Sequence, residues 1–223
     1  MLHANDKAAL LKRYSDRLAQ YGATEAALGW TKSKQKLRYG ILLQHWLGEA
    51  RSAPLRVLDF GCGFGDLYGY AREQALTLEY TGIDINDDLV KIARRRYPDA
   101  RFVCADLFEQ PIAERFDVVV SSGVHNNRLS DNRAFVEWTF ELFDRLSNTG
   151  FAVNFLSTRS TIRHEDNHYS APEEILALGL RLSPRVTLRH DYMPFEFTVF
   201  VDKRSAMDEQ LTVFLPFVAE CRE

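Results

Sequence analysis

The segment VLDFGCGFGDLYGYA, residues 57–71, joins an apolar run to a GxGxG turn at Gly61, Gly63 and Gly65 and then to a helix-like stretch. Glycines at this spacing let a chain bend sharply after a strand and let a ligand approach with no Cβ in its way. A dinucleotide fingerprint would place its third glycine where Asp66 stands. A carboxylate there repels a pyrophosphate, so the turn suits a ligand that lacks phosphate and carries positive charge, such as a sulfonium with an ammonium group. Asp59, at the end of the preceding run, is a helpful neighbour for such a cation, or a carboxylate that bonds the amides of the glycine turn. Cys62 lies between two glycines, where a small residue is needed; its thiol is not read as a nucleophile.

Three further segments follow in order. LEYTGIDIN, residues 78–86, ends in Asp84, whose carboxylate can take both hydroxyls of a ribose while Ile85 offers an apolar face to a base. In RFVCADLFE, residues 101–109, Asp106 is placed to accept from an adenine amino group with Leu107 beside the ring, or to cap the turn that follows it. FDVVVSSGVHNN, residues 116–127, is a strand whose end, with Ser122, should lie under a reactive methyl group. The cofactor that matches this set is S-adenosylmethionine.

These four ordered segments resemble the class I (Rossmann-like) S-adenosylmethionine-dependent methyltransferases over about residues 55–157, and the closing pair of strands near 185–202 also looks like that fold. The resemblance implies that Gly61 and Gly63 cradle the amino-acid part of the cofactor, that Asp84 binds ribose and that Asp106 binds adenine. It implies a methyl transfer to oxygen or nitrogen of a small molecule. The same fold also serves other enzymes that use this cofactor and non-catalytic cofactor-binding partners. The fourth segment lacks the Asn/Asp-Pro-Pro-aromatic motif of amino-group enzymes acting on adenine or glutamine, and it lacks the paired acids of metal-dependent catechol-type enzymes, so no metal is expected.

The acceptor belongs beyond the carboxyl ends of the strands. After the fourth strand come His125, Asn126, Asn127 and Arg128; after the fifth come Arg159, Arg163, His164, His168 and Tyr169; at the sixth come His190, Asp191 and Tyr192. A rim rich in His, Arg and Asn suits an anionic acceptor, and it is equally what a solvated loop looks like. His125, His168 and His190 are the candidate general bases. Asn126, Arg159, Tyr169, Tyr192 and Glu196 are candidate acceptor contacts, with Glu196 directed to the cleft or paired with Arg185 or Arg189. Trp30 precedes the second helix as a lid or a core anchor. Arg38 on that helix is the natural partner for the cofactor carboxylate, or belongs to a helix that simply covers the sheet.

The elements that must position these residues follow from periodicity. Apolar residues recur at helical spacing over 4–21 and 33–49, giving two N-terminal helices. Beyond Pro54, short apolar runs alternate with helical stretches, the pattern of βαβ units. Strands are expected at 55–60, 78–84, 101–105, 116–121, 150–157, 185–191 and 195–202, and helices near 65–75, 87–96, 131–147 and 172–180. Only Met193 and Pro194 separate the last two strands, too few residues for a crossover, so that pair must be antiparallel. The expected fold is α/β, a doubly wound seven-stranded, mostly parallel sheet with an antiparallel last strand plus N-terminal helices. Residues 1–52 read as a helical cap, 53–223 as the cofactor-binding domain within one globular unit, and the tail from Ser205 as a further helix.

With 223 residues, 46% hydrophobic and 26% charged, the chain has the composition of an ordinary globular domain. A net charge of -3 provides no basic field for nucleic acid. No secretory leader or membrane-spanning run is visible, and three widely spaced cysteines support neither a disulfide framework nor a zinc site. The expected setting is the cytoplasm, with a small-molecule partner and a monomer or homodimer.

Overall fold

The computed structural model describes residues 2–29, 34–47 and 53–221, so Trp30 lies outside the described residues. Helix α1 spans Ala4–Tyr21 and α2 spans Lys34–Leu47. The alternating core follows as β1 (Leu55–Phe60), α3 (Asp66–Glu73), β2 (Leu78–Asp84), α4 (Asp87–Arg96), β3 (Arg101–Cys104), β4 (Phe116–Ser121), α5 (Asn132–Leu146), β5 (Ser147–Leu156), α6 (Pro172–Leu180), β6 (Val186–Met193) and β7 (Glu196–Asp202). The seven strands form one sheet in the order β3-β2-β1-β4-β5-β7-β6. Every pairing from β3 across to β5 is parallel, and β7 runs antiparallel to both β5 and β6, as the short connection requires. Strand order reverses between β1 and β4, which opens a crevice beyond their carboxyl ends.

Each face of the sheet is closed by helices. One face packs Leu42, Leu43 and Trp46 of α2, together with Leu67 of α3 and Val90 of α4, against Val57, Tyr80 and Val118. The other packs Phe140 and Phe143 of α5 and Ile175 of α6 against Phe151, Phe155 and Phe197. Central β7 is buried along its whole length, as expected of a strand covered on both faces. Local signals set the helix starts: the Asn86 side chain accepts from the amides of Asp88 and Leu89, Asp131 from that of Ala134, and Pro172 sits in the first turn of α6.

Two expectations are corrected. Strand β5 begins at Ser147 rather than at 150, because α5 passes into it without a loop. The tail is not a helix: Met207–Asp208 (β8) pairs antiparallel with Val213–Phe214 (β9), and two 3-10 turns follow. The Asp208 carboxylate takes the amides of Gln210 and Leu211, which offers the backbone a turn in place of a helix, and Pro216 removes a donor a little further on. Helix α1 has no buried residue and lies outside both cores.

Candidate active site

Beyond the carboxyl ends of the strands lies a cavity of about 600 Å³. That size is ordinary for a small-molecule site. Its first wall is the glycine turn. Gly61 has φ of 78° and Gly63 of 55°, and a Cβ on Gly61 would stand 2.1 Å from a methyl of Val124, so only glycine lets this loop close against the segment after β4. The amides of Gly61 and Cys62 both bond the Ile83 carbonyl, which ties the turn to the end of β2.

Three acids face this wall. Asp59 is 3% exposed and accepts the Tyr80 hydroxyl at 2.7 Å. Burial pushes its carboxyl up to about 7, the Tyr80 hydrogen bond opposes that, and the charges of Asp84 and Asp66 reinforce it. Asp84 accepts the Gly63 and Asn86 amides, each at 2.9 Å; burial raises its carboxyl and these backbone donors hold the rise back. The Ile85 amide also acts on this carboxylate, whose two oxygens keep acceptor capacity for a hydroxyl. Asp106 caps the turn that follows it by accepting the Phe108 amide at 2.9 Å, and it also lines the cavity. It also holds the Lys7 ammonium at 2.7 Å.

Ile85, Leu107, Cys62, Ser122 and Arg38 line the same cavity. The Ser122 hydroxyl is buried and has no hydrogen-bond partner among the described residues, so it is available to a ligand. Burial drives the Cys62 thiol well above its ordinary value, which makes it a packing group rather than a nucleophile. Arg38, 4% exposed, is clamped by Glu196, with Nε donating to the two carboxylate oxygens at 2.6 and 2.7 Å. Fully buried Glu196 therefore pairs with α2 and not with Arg185 or Arg189, which bond Asp202 and Asp191 instead.

The three histidines expected as bases lie off the cavity lining. His125 is 1% exposed, packs on Phe135, Phe143 and Phe155 and bonds the Thr139 hydroxyl at 2.8 Å; burial holds its imidazole down at about 3. The short 3-10 turn Val124–Asn126 rotates it into the core. His168 lines a separate cleft beside α5 and α6, and burial lowers its imidazole as well. His190, on β6, makes an edge-on contact with Phe197 of β7. Arg159 points away to Glu173, and the Tyr192 hydroxyl is engaged with Thr198. Asn126 and Tyr169 do line the cavity, Asn126 accepting the Leu156 amide and Tyr169 accepting the His164 amide.

Several lining residues were not singled out from sequence. Helix α1 lays Leu10, Leu11, Arg13, Tyr14 and Arg17 across the opening, anchored by Lys7 on Asp106, Asp6 on Ser130 and Tyr14 on Asn127. The helical recurrence of Leu10, Leu11 and Tyr14 was its visible signal. Lys34 lies over the Phe195 ring at 4.9 Å, and Leu156, Ile162 and Phe135 extend the apolar wall. His164 supplies the one imidazole that lines the cavity among the described residues.

The cavity thus combines in one lining glycines and acids suited to a cationic nucleoside with apolar side chains and the cations Arg13, Arg17, Lys34 and Arg38. Residues 57–145 match the family model described as "Methyltransferase domain". A protein of Mycobacterium tuberculosis that carries a provisional methyltransferase name is 33% identical over 162 residues, covering 68% of this chain and 95% of that one. A fatty-acid O-methyltransferase of Mycolicibacterium smegmatis is 34% identical over 95 residues, covering 41% of this chain and 35% of that one. Among solved structures, the 1,6-didemethyltoxoflavin-N1-methyltransferase of Burkholderia thailandensis superposes with a TM-score of 0.60 at 20% identity, covering 90% of each chain; it shares the fold.

Proposed function

The chain belongs to the class I S-adenosylmethionine-dependent methyltransferases, and on that premise we propose that it methylates an oxygen or nitrogen of a small acceptor carrying an anionic group on an apolar body. The observation that carries this reading is one cavity whose lining brings the glycine turn and its acids together with apolar side chains, Lys34 and Arg13.

The residues present fit the cofactor. Its cations are matched by Asp59, its sugar by the acceptor capacity of Asp84 and its adenine amino group by Asp106, and Ser122 brings an unused hydroxyl. S-adenosylmethionine, when bound, supplies an electrophilic methyl group whose transfer leaves the S–C bonding pair on sulfur as S-adenosylhomocysteine. Ile85 and Leu107 would enclose the base, and α1 closes the opening so that the sulfonium is kept from water. In this role α1 acts as the cap, while α2 packs Leu42, Leu43 and Trp46 against the sheet.

On the other side, Phe135, Leu156, Ile162 and Phe195 would hold the apolar body of the acceptor while Lys34 and Arg13 hold its anionic end. An acceptor that reacts through a carboxylate has no proton to lose; for one that reacts through a hydroxyl or amine, His164 is the cavity-lining group that can take the proton. The relative named for fatty-acid O-methylation supports an acceptor of the first kind. A reducing cytoplasm suits three free cysteines, and a monomer or homodimer suffices for a cavity built within one chain.

The test is S-adenosylhomocysteine release from S-adenosylmethionine across a panel of fatty and aromatic carboxylates, phenols, neutral alcohols, amines and oligonucleotides. Turnover confined to anionic apolar compounds, with KM rising as salt is added, is expected. Turnover only of neutral or cationic compounds would refute the acceptor class, and silence across the panel would refute the reading.

A further inference from the structure

A second pair of charged side chains near the cavity is buried as deeply as its cofactor-facing acids. Arg38 on α2 and Glu196 at the start of β7 are 4% and 0% exposed and are 158 positions apart in the chain. Two ions taken out of water at such a place are costly, and an apolar pair of similar volume serves stability as well or better. What such a pair contributes is a fixed geometry more than stability.

Arg38 lines the cavity, whereas Glu196 stands behind it. Arg38 shares the cavity lining with Asp59 and the glycine turn. Glu196 also accepts the Asn154 side-chain amide at 2.7 Å, and the carbonyl of that side chain accepts the Gly123 amide at 2.8 Å. Gly123 follows Ser122, has φ of 84° and lines the cavity. The carboxylate that sets the plane of Arg38 therefore also sets, through one carboxamide, the backbone at the end of β4. The orientation of that carboxamide is fixed at both ends, since the Gly123 amide needs an acceptor and Glu196 needs a donor.

We propose that Glu196 and Asn154 are positioning residues that lock Arg38, as the partner of the cofactor's carboxylate, and the Ser122–Gly123 backbone into one unit, so that gripping the amino-acid end of the cofactor aligns the floor beneath the transferred methyl. The proposal rests on the cofactor reading above. It separates two kinds of ligand: those with the amino-acid group engage the relay, and those with the nucleoside alone do not.

The experiment measures calorimetric affinity of the full chain for S-adenosylhomocysteine and for 5′-methylthioadenosine, which keeps the nucleoside and sulfur but lacks the amino-acid group. In Glu196→Gln and Asn154→Ala, S-adenosylhomocysteine binding is expected to weaken about tenfold, on the scale of one hydrogen bond to a charged group. 5′-Methylthioadenosine should bind as it does to the unaltered protein, and kcat at saturating cofactor should fall. Arg38→Lys keeps the buried charge but loses the two-pronged contact; it carries the same expectation if Glu196→Gln does not fold. Equal weakening of both ligands, or of neither, overturns the relay while leaving the cofactor reading intact. Failure of the unaltered protein to bind either compound overturns both.

Discussion

In the proposed cofactor pose, Asp59 should make cofactor binding depend on pH. Burial raises its carboxyl from 3.8 to about 7, a difference of about 4 kcal/mol between its two protonation states. The folded chain without ligand thus favours the protonated form: this stabilisation is fully present below the unfolded value and is lost as pH rises through about 7. A cationic ligand reverses the preference, because it binds the ionised form. With the carboxyl at about 7, roughly one-tenth of Asp59 is ionised at pH 6 and roughly nine-tenths at pH 8, so affinity for S-adenosylmethionine should rise about tenfold between them. Binding at pH 6 should release close to one proton, read by calorimetry in two buffers of different ionisation enthalpy. Asp59→Asn should flatten the slope and abolish the release. A pH-independent affinity with no proton release in the unaltered protein would refute the argument.

Other expectations are simpler. Asp84→Ala removes the acceptor of the Gly63 amide and the proposed ribose contact, and should weaken S-adenosylhomocysteine binding by about 1.5–3 kcal/mol in a titration. Gly61→Ala should lower thermal stability by about 1–3 kcal/mol and impair cofactor binding, because its Cβ overlaps Val124 at a positive φ; adding Val124→Ala should recover part of both. His125→Asn should cost about 2–3 kcal/mol in denaturant unfolding by loosening the contacts with Phe135 and Phe155, and should leave the pH profile of kcat/KM unmoved, as befits a core histidine.

The sheet was legible because its signals are local. Apolar runs, glycine turns and capping residues such as Asn86 and Asp131 each act within a few positions, and a two-residue connection leaves β6 and β7 only the antiparallel arrangement. The strand-end acids proposed to hold the cofactor were placed for the same reason, since they fall at the sheet's carboxyl edge whatever the loops do. The acceptor side was not. Its residues sit on loops, where a side chain can turn to either side: His125 turns inward and His164 outward, and nothing in VHNN or TIRHED distinguishes them. Contacts between distant segments were also invisible, above all Arg38 with Glu196 and Lys7 with Asp106, because sequence periodicity carries no information about which elements meet. The tail was misread because the turn at Asp208 outweighs the weak helical pattern around it.

The central claim is most directly tested by a crystal structure of the chain with S-adenosylhomocysteine. Both ribose hydroxyls should lie on the Asp84 carboxylate, the homocysteine moiety along Gly61 and Gly63, and the sulfur facing Ser122 and the apolar wall. A nucleoside lodged anywhere else, with the glycine turn bare, would contradict the account.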